Sequence, residues 1–231
     1  MGSQDALSNT ARYKTLASPC NRASNTLMTL AAADTPRPVG RPRAFSRDHA
    51  LDAAMRVFWT HGYEGASLTL LTAAMGINRP SLYAAFGDKA ALFRESVARY
   101  GTGPGRYVRR ALGQPTARLV AQTLLLGAVH LATDPANPGG CLWVQGALAT
   151  GPDSAAIKAD LSALRARGIQ QVHARLDHAR TIGDLPPATD TEALTLYLIS
   201  VMNGLSVQAA GGFTREQLYR VVDLALTHWP T

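Results

Sequence analysis

The segment from Ser67 to Lys89 constrains this chain more than any other. Two glycines, Gly76 and Gly87, divide it into two helix-length pieces that are too short to stand alone. Ser67 is placed to accept from the free N–H groups of a starting helix. Leu68, Leu71 and Met75, with Leu70 and Ala74, repeat at helical spacing. Gly76 stands where a left-handed residue stops that helix, and Ile77 is an apolar plug in the turn. Asn78 caps a second helix whose first turn tolerates Pro80. Leu82 and Phe86, four apart, face inward, which leaves Ser81, Tyr83 and Ala84 outside. Gly87 ends this helix, and Asp88 caps a third beginning at Lys89. Two short helices across a tight glycine turn form a helix-turn-helix, whose second helix enters the major groove of DNA.

From Phe45 to Phe93 the sequence resembles the DNA-binding domain of the TetR/AcrR family of bacterial transcription regulators. The resemblance rests on Ala54, Phe58, Gly62-Tyr63, Ser67-Leu68, Ala74, Met75-Gly76, Ser81-Leu82-Tyr83, Phe86, Lys89 and Leu92-Phe93. It extends loosely to the C-terminus through Gly140 to Ala149 and Leu198 to Gln208. Two positions depart from the family pattern. Ala85 stands where histidine is frequent, and Thr72 where alanine is.

Before this segment, Ser46 caps a helix that runs to about His61. Its inward face is Ala50, Leu51, Ala54, Val57 and Phe58, and Gly62 closes it. Further upstream, Gly40-Arg41-Pro42-Arg43 resembles an AT-hook, an extended basic segment suited to a narrow minor groove; a basic linker is the plainer alternative. Residues 1–36, rich in Ser, Thr, Asn and Ala, read as a disordered or weakly helical extension, with Met28 a possible natural start. The chain divides into this extension, a basic arm at 37–45, a helix-turn-helix domain at 46–100 and a helical domain at 101–231. The last border falls at the Gly101–Gly105 cluster.

Net charge is +7, densest between residues 37 and 90, and favours a polyanionic partner. All basic residues but Lys14, Lys89 and Lys158 are arginine, which suits phosphate and guanine edges and equally a GC-rich genome. Two cysteines, Cys20 and Cys141, make no disulfide framework and fit a reduced cytoplasm. No apolar run approaches the ~20 residues of a membrane span, and no secretory signal is visible. No metal-ligand spacing is present, so neither metal nor cofactor is expected.

Beyond Gly105 the pattern is helical, without strand-like alternation, over about 106–113, 116–132, 142–149, 154–181, 190–209 and 214–229, so the fold is all-α. The long helix carries Ile157, Leu161, Leu164, Gly168, Val172 and Leu176 as one stripe. The resemblance implies that the last two helices form a four-helix dimer interface through Leu194, Leu198, Val201, Leu205, Leu218, Val222 and Leu226. Packing within the chain is the alternative. It implies a ligand pocket to which Tyr107, His130, Cys141, Trp143 and Gln145 are candidates, each equally suited to ordinary core. Cys141 opens a helix after Pro138-Gly-Gly140, where the helix dipole lowers a thiol pKa. That suits an oxidant or electrophile sensor; a buried small residue is the competing reading.

The expected chemistry follows. Asn78, Arg79, Ser81 and Tyr83 meet the major groove or its phosphates, Ser67, Thr69 and Lys89 hold phosphates, and Arg41 and Arg43 enter the minor groove. A small effector in the C-terminal half would shift the 89–100 helix and release a palindromic operator bound by a homodimer. The sequence offers no nucleophile elbow, phosphate loop or metal motif of an enzyme. An architectural DNA-binding protein with little sequence preference is the remaining rival.

Overall fold

The computed structural model describes residues 46–148 and 154–230. The extension, the arm with Arg41 and Arg43, Cys20, Met28 and the stop at Gly151-Pro152 lie outside the described residues. Among these there are ten α-helices, one short 3-10 turn at Pro104–Arg106 and no strand.

The first helix, α1 (Arg47–Gly65), begins where Ser46 Oγ accepts from the His49 amide at 3.4 Å. Gly62 interrupts it at φ 68° and ψ −179°, a backbone state open to glycine, and a last turn resumes beyond. Ala50, Leu51, Ala54 and Phe58 are buried as expected, together with Met55 and Trp59. Helices α2 (Leu68–Met75) and α3 (Arg79–Phe86) follow, then α4 (Lys89–Thr102). Phe58 meets Phe93 edge-on at 5.0 Å, and Tyr63 meets Phe93 at 5.2 Å, so α1 and α4 grip each other through aromatic rings. Leu71 of α2, Leu82 of α3 and Leu92 of α4 are fully enclosed against this pair. Each contributes about 1.5–3 kcal/mol by leaving water. Leu70 and Ala74, read from the sequence as part of the inner stripe, instead face solvent.

The remaining helices are α5 (Tyr107–Leu112), α6 (Ala117–Ala132), α7 (Leu142–Leu148), α8 (Ala155–Thr181), α9 (Thr191–Ala210) and α10 (Arg215–Thr227). Helix α6 is enclosed on most sides because α5, α9 and α10 all pack on it. Its Gly127 is required by a close approach: a Cβ there would lie 2.3 Å from the Tyr107 ring. The stripe on α8 faces inward at Ile157, Leu161, Val172 and Leu176.

Two sequence expectations change in α9 and α10. Leu198, Leu205, Leu218, Val222 and Leu226 are buried within the chain itself, so they do not form an outward interface. Leu194 and Val201 are half-buried. The apolar residues turned outward are Leu196, Tyr197 and Val207 on α9 and Val221 and Leu224 on α10. Both faces of α9 are apolar, so spacing alone does not tell the buried face from the exposed one. For the same reason α9 has the length and composition a membrane crossing requires, which the sequence reading did not credit. Its Thr191, Thr195, Leu198, Leu205 and Ser206 nevertheless pack inside the chain.

Candidate nucleic-acid interface and neighbouring cavity

Each end of the reading helices is closed by the residue type the sequence supplies for it. Ser67 Oγ accepts from the Leu70 amide at 3.1 Å, and Gly76 adopts the left-handed state at φ 66° and ψ 30°. Asn78 Oδ1 accepts from the Ser81 amide at 2.8 Å, and Asp88 Oδ1 from the Ala91 amide at 2.7 Å. Such caps are worth about 1 kcal/mol apiece. Leu82 and Phe86 anchor α3 inward, which fixes the rotation of its other face. Asn78, Arg79 and Tyr83 lie exposed on that face and Ser81 is half-buried beside them; Tyr83 is 46% exposed.

Further contacts hold α3 in place. Arg79 donates to Thr69 Oγ1 at 3.2 Å and so ties the start of α3 to α2. Arg47, a residue the sequence reading passed over, donates to both Glu95 carboxylate oxygens at 2.8 Å and to the Ala85 carbonyl at 3.2 Å. Its guanidinium lies 4.4 Å from the centre of the Phe86 ring. One side chain thus joins α1, the last turn of α3, and α4. No local pattern announces this, because its partners lie 38 and 48 residues away.

Lys89 sits differently from the expectation of a free phosphate-binding ammonium. Its Nζ lies 4.5 Å above the Tyr63 ring, and burial pulls its pKa below the ordinary lysine value. Ser67 and Thr69 are exposed near the α2 start.

The five candidate ligand residues divide. Tyr107, Cys141 and Trp143 share a cavity of about 220 Å³ with Leu124, Val172 and Met202. His130 lies apart from it, in a polar recess that includes Arg106, Arg110 and Asp134, and its Nε2 is 2.8 Å from the Tyr219 hydroxyl. Burial, with Arg215 and Arg110 nearby, moves the His130 pKa below its ordinary value. Gln145 turns away and donates to the Gly139 carbonyl at 3.2 Å. Tyr107 is buried and its hydroxyl faces Met202 Sδ at 3.9 Å.

Cys141 departs from the chemistry its position suggested. The thiol is buried and accepts from the Tyr100 hydroxyl at 3.4 Å. Burial raises its pKa, and outweighs the hydrogen bonds from Tyr100 and the Val144 and Trp143 amides. Burial therefore outweighs position at a helix start in setting the direction of this pKa.

A larger cavity of about 880 Å³ separates α4 from α8. Its floor includes Phe93, Val97, Leu161 and Leu164, and Trp143 borders both cavities. Across its mouth Arg94 of α4 pairs with Asp160 of α8 at 2.7 Å. Neither residue stands out in the sequence, nor do Arg167 and Gln171, which border both spaces.

Residues 50–96 match the tetR family of bacterial regulatory proteins, and residues 115–220 match the tetracyclin repressor-like C-terminal domain. The chain belongs to the TetR family. TetR-family relatives include the transcriptional repressor ComR of Escherichia coli K12, 31% identical over 200 residues, 83% of this chain and 92% of ComR. The repressor BdcR of the same organism is 30% identical over 189 residues, covering 80% and 90%. Among solved structures, a cysteine-substituted form of the TetR regulator CifR was determined with 26-bp double-stranded operator DNA. It is 48% identical with a TM-score of 0.79, covering 83% of this chain and all of that one. This TetR-family chain is accordingly a DNA-binding regulator with the helix-turn-helix in α2 and α3.

Proposed function

We propose that this protein is a ligand-released transcriptional repressor that binds a palindromic operator as a homodimer in the cytoplasm. The observation carrying the reading is the outward face of α3, where Asn78, Arg79 and Tyr83 stand exposed on a helix clamped from behind by Leu82, Phe86 and Arg47. A helix held in this way reads base edges, while Ser67, Thr69 and the α4 start near Lys89 hold phosphates. Support also comes from CifR, whose structure contains operator DNA.

The dimer reading draws on the outward apolar face of α9 and α10. Leu196, Tyr197, Val207, Val221 and Leu224 are all exposed, with Ser200 and Gly204 offering close approach. A contiguous apolar face of this kind marks an interaction surface, and two-fold operators require two copies. The release reading draws on the cavity between α4 and α8. A small effector that prefers one spacing of these helices shifts the population toward it, and α4 carries the reading helices with it.

Selection of bound fragments from the source genome by the purified protein at physiological salt tests this. Recovery of a palindrome, with two chains per site by mass, is expected. Recovery of fragments without common sequence, bound in proportion to low salt, would overturn it in favour of an architectural role.

A further inference from the structure

The walls of the larger cavity are unequal in charge. Among the residues bordering the two cavities, Asp160 is the one acidic side chain, and Arg94 already occupies it at 2.7 Å. Arg109 of α5 and Arg167 of α8 also border the larger space, and neither has an acidic partner among the described residues. Both are exposed, so they stand at the mouth. The floor behind them is apolar. It ends at Trp143, whose indole N–H is buried with no acceptor. A cationic rim over an apolar floor suits a molecule that is negative at one end and greasy at the other.

We propose that this cavity takes an organic anion with an apolar body, its charge held by Arg167 and Arg109 and its body laid against Trp143. This rests on the reading that the space between α4 and α8 is the effector site. The α4–α8 contact makes the choice of charge consequential. An anionic head at the rim competes with Asp160 for Arg94, and so loosens the ion pair that joins the two helices. A cation would instead compete for Asp160 while meeting two unpaired guanidinium groups, and is disfavoured. Trp143 adds the second half of the coupling. A Cβ on Gly105 would lie 2.7 Å from its ring, and one on Gly101 3.2 Å, so the indole is fitted against the last turn of α4 and the segment that follows it. A body pressing on Trp143 presses on that segment.

Two fluorescent probes sharing one ring system test this on the full-length protein without DNA: 1-anilinonaphthalene-8-sulfonate, an anion, and N-phenyl-1-naphthylamine, its neutral counterpart. The anion should bind at least about tenfold more tightly, the scale of a charge-assisted hydrogen bond. The double variant Arg109→Met/Arg167→Met should bring the two within about twofold while leaving the neutral probe unchanged. Lys158→Met, an exposed cation on the same helix but outside the cavity, should have no effect. Energy transfer from tryptophan to bound anion should fall in Trp143→Phe, which locates the probe. Decanoate should displace it at lower concentration than decan-1-ol. Equal affinity for the two probes, binding of neither, or loss of anion binding that Lys158→Met reproduces would overturn the proposal. These outcomes are independent of operator selection: failure here with an intact palindrome removes the anion and leaves the repressor, and the reverse result does the opposite.

Discussion

The reading helices α2 and α3 and the terminal pair α9 and α10 are built on opposite plans. In the first pair, short helices bury few residues and each end is closed by a polar cap or a glycine, and on α3 the buried Leu82 and Phe86 oppose the exposed Asn78, Arg79 and Tyr83. In the second, Leu198 and Leu205 face in while Leu196 and Val207 face out on the same helix. Periodicity identifies a helix in both cases. It identifies the buried face only where the two faces differ in polarity.

The largest effects should separate Leu82 from Tyr83, neighbours in sequence with opposite surroundings. Leu82→Ala should cost about 2–5 kcal/mol in chemical denaturation, because a fully enclosed side chain leaves a cavity. Tyr83→Ala should leave stability within about 0.5 kcal/mol and still lower operator affinity by about tenfold or more in a binding titration. Equal stability losses would erase the distinction. Leu205→Ala against Leu224→Glu makes the same contrast in the terminal pair. The first should cost about 2–5 kcal/mol; the second, at a residue 61% exposed, should spare folding and weaken self-association in sedimentation.

A smaller effect is expected at Gly105. Gly105→Ala places a methyl group against the Trp143 ring, and overpacking of this kind costs about 1–3 kcal/mol. Trp143→Phe in the same chain should recover part of that loss in thermal melts, which a purely backbone effect would not allow. The smallest expected effect is at His130. Its folded pKa lies below the ordinary 6.5 because of burial and two nearby arginines. The unfolded chain therefore binds the proton more readily, and stability should decline as pH falls below about 6.5. His130→Gln should flatten that decline in melts run between pH 7.5 and 5.5.

Much of the architecture was legible in the sequence because it is written locally. The caps at Ser67, Asn78 and Asp88, the left-handed Gly76 and the stripe on α8 each depend on residues a few positions apart. What was not legible depends on distance or on competition. Arg47 finds Glu95 and Ala85 only after folding. Lys89 has a ring to cover as well as a helix start to occupy. Cys141 has the position of an activated thiol, but its burial, invisible to spacing, reverses the sign. Arg94 and Asp160 form a pair across the cavity mouth although each reads as ordinary helix surface.

The core under α1 to α4 does not stop at the Gly101–Gly105 segment. Phe58, Trp59, Phe93 and Tyr100 belong to the same apolar body as Cys141, Leu142, Val144, Ile157 and Leu161. Trp59 and Trp143 meet Tyr100 edge-on at 4.8 and 4.9 Å. For anyone recombining regulators, the seam visible in the backbone is the wrong place to cut. A chimaera that grafts residues 46–102 onto a foreign sensor would leave half of a shared jigsaw behind. The transplant should work when the inner faces of α7 and the first turns of α8 travel with the donor head.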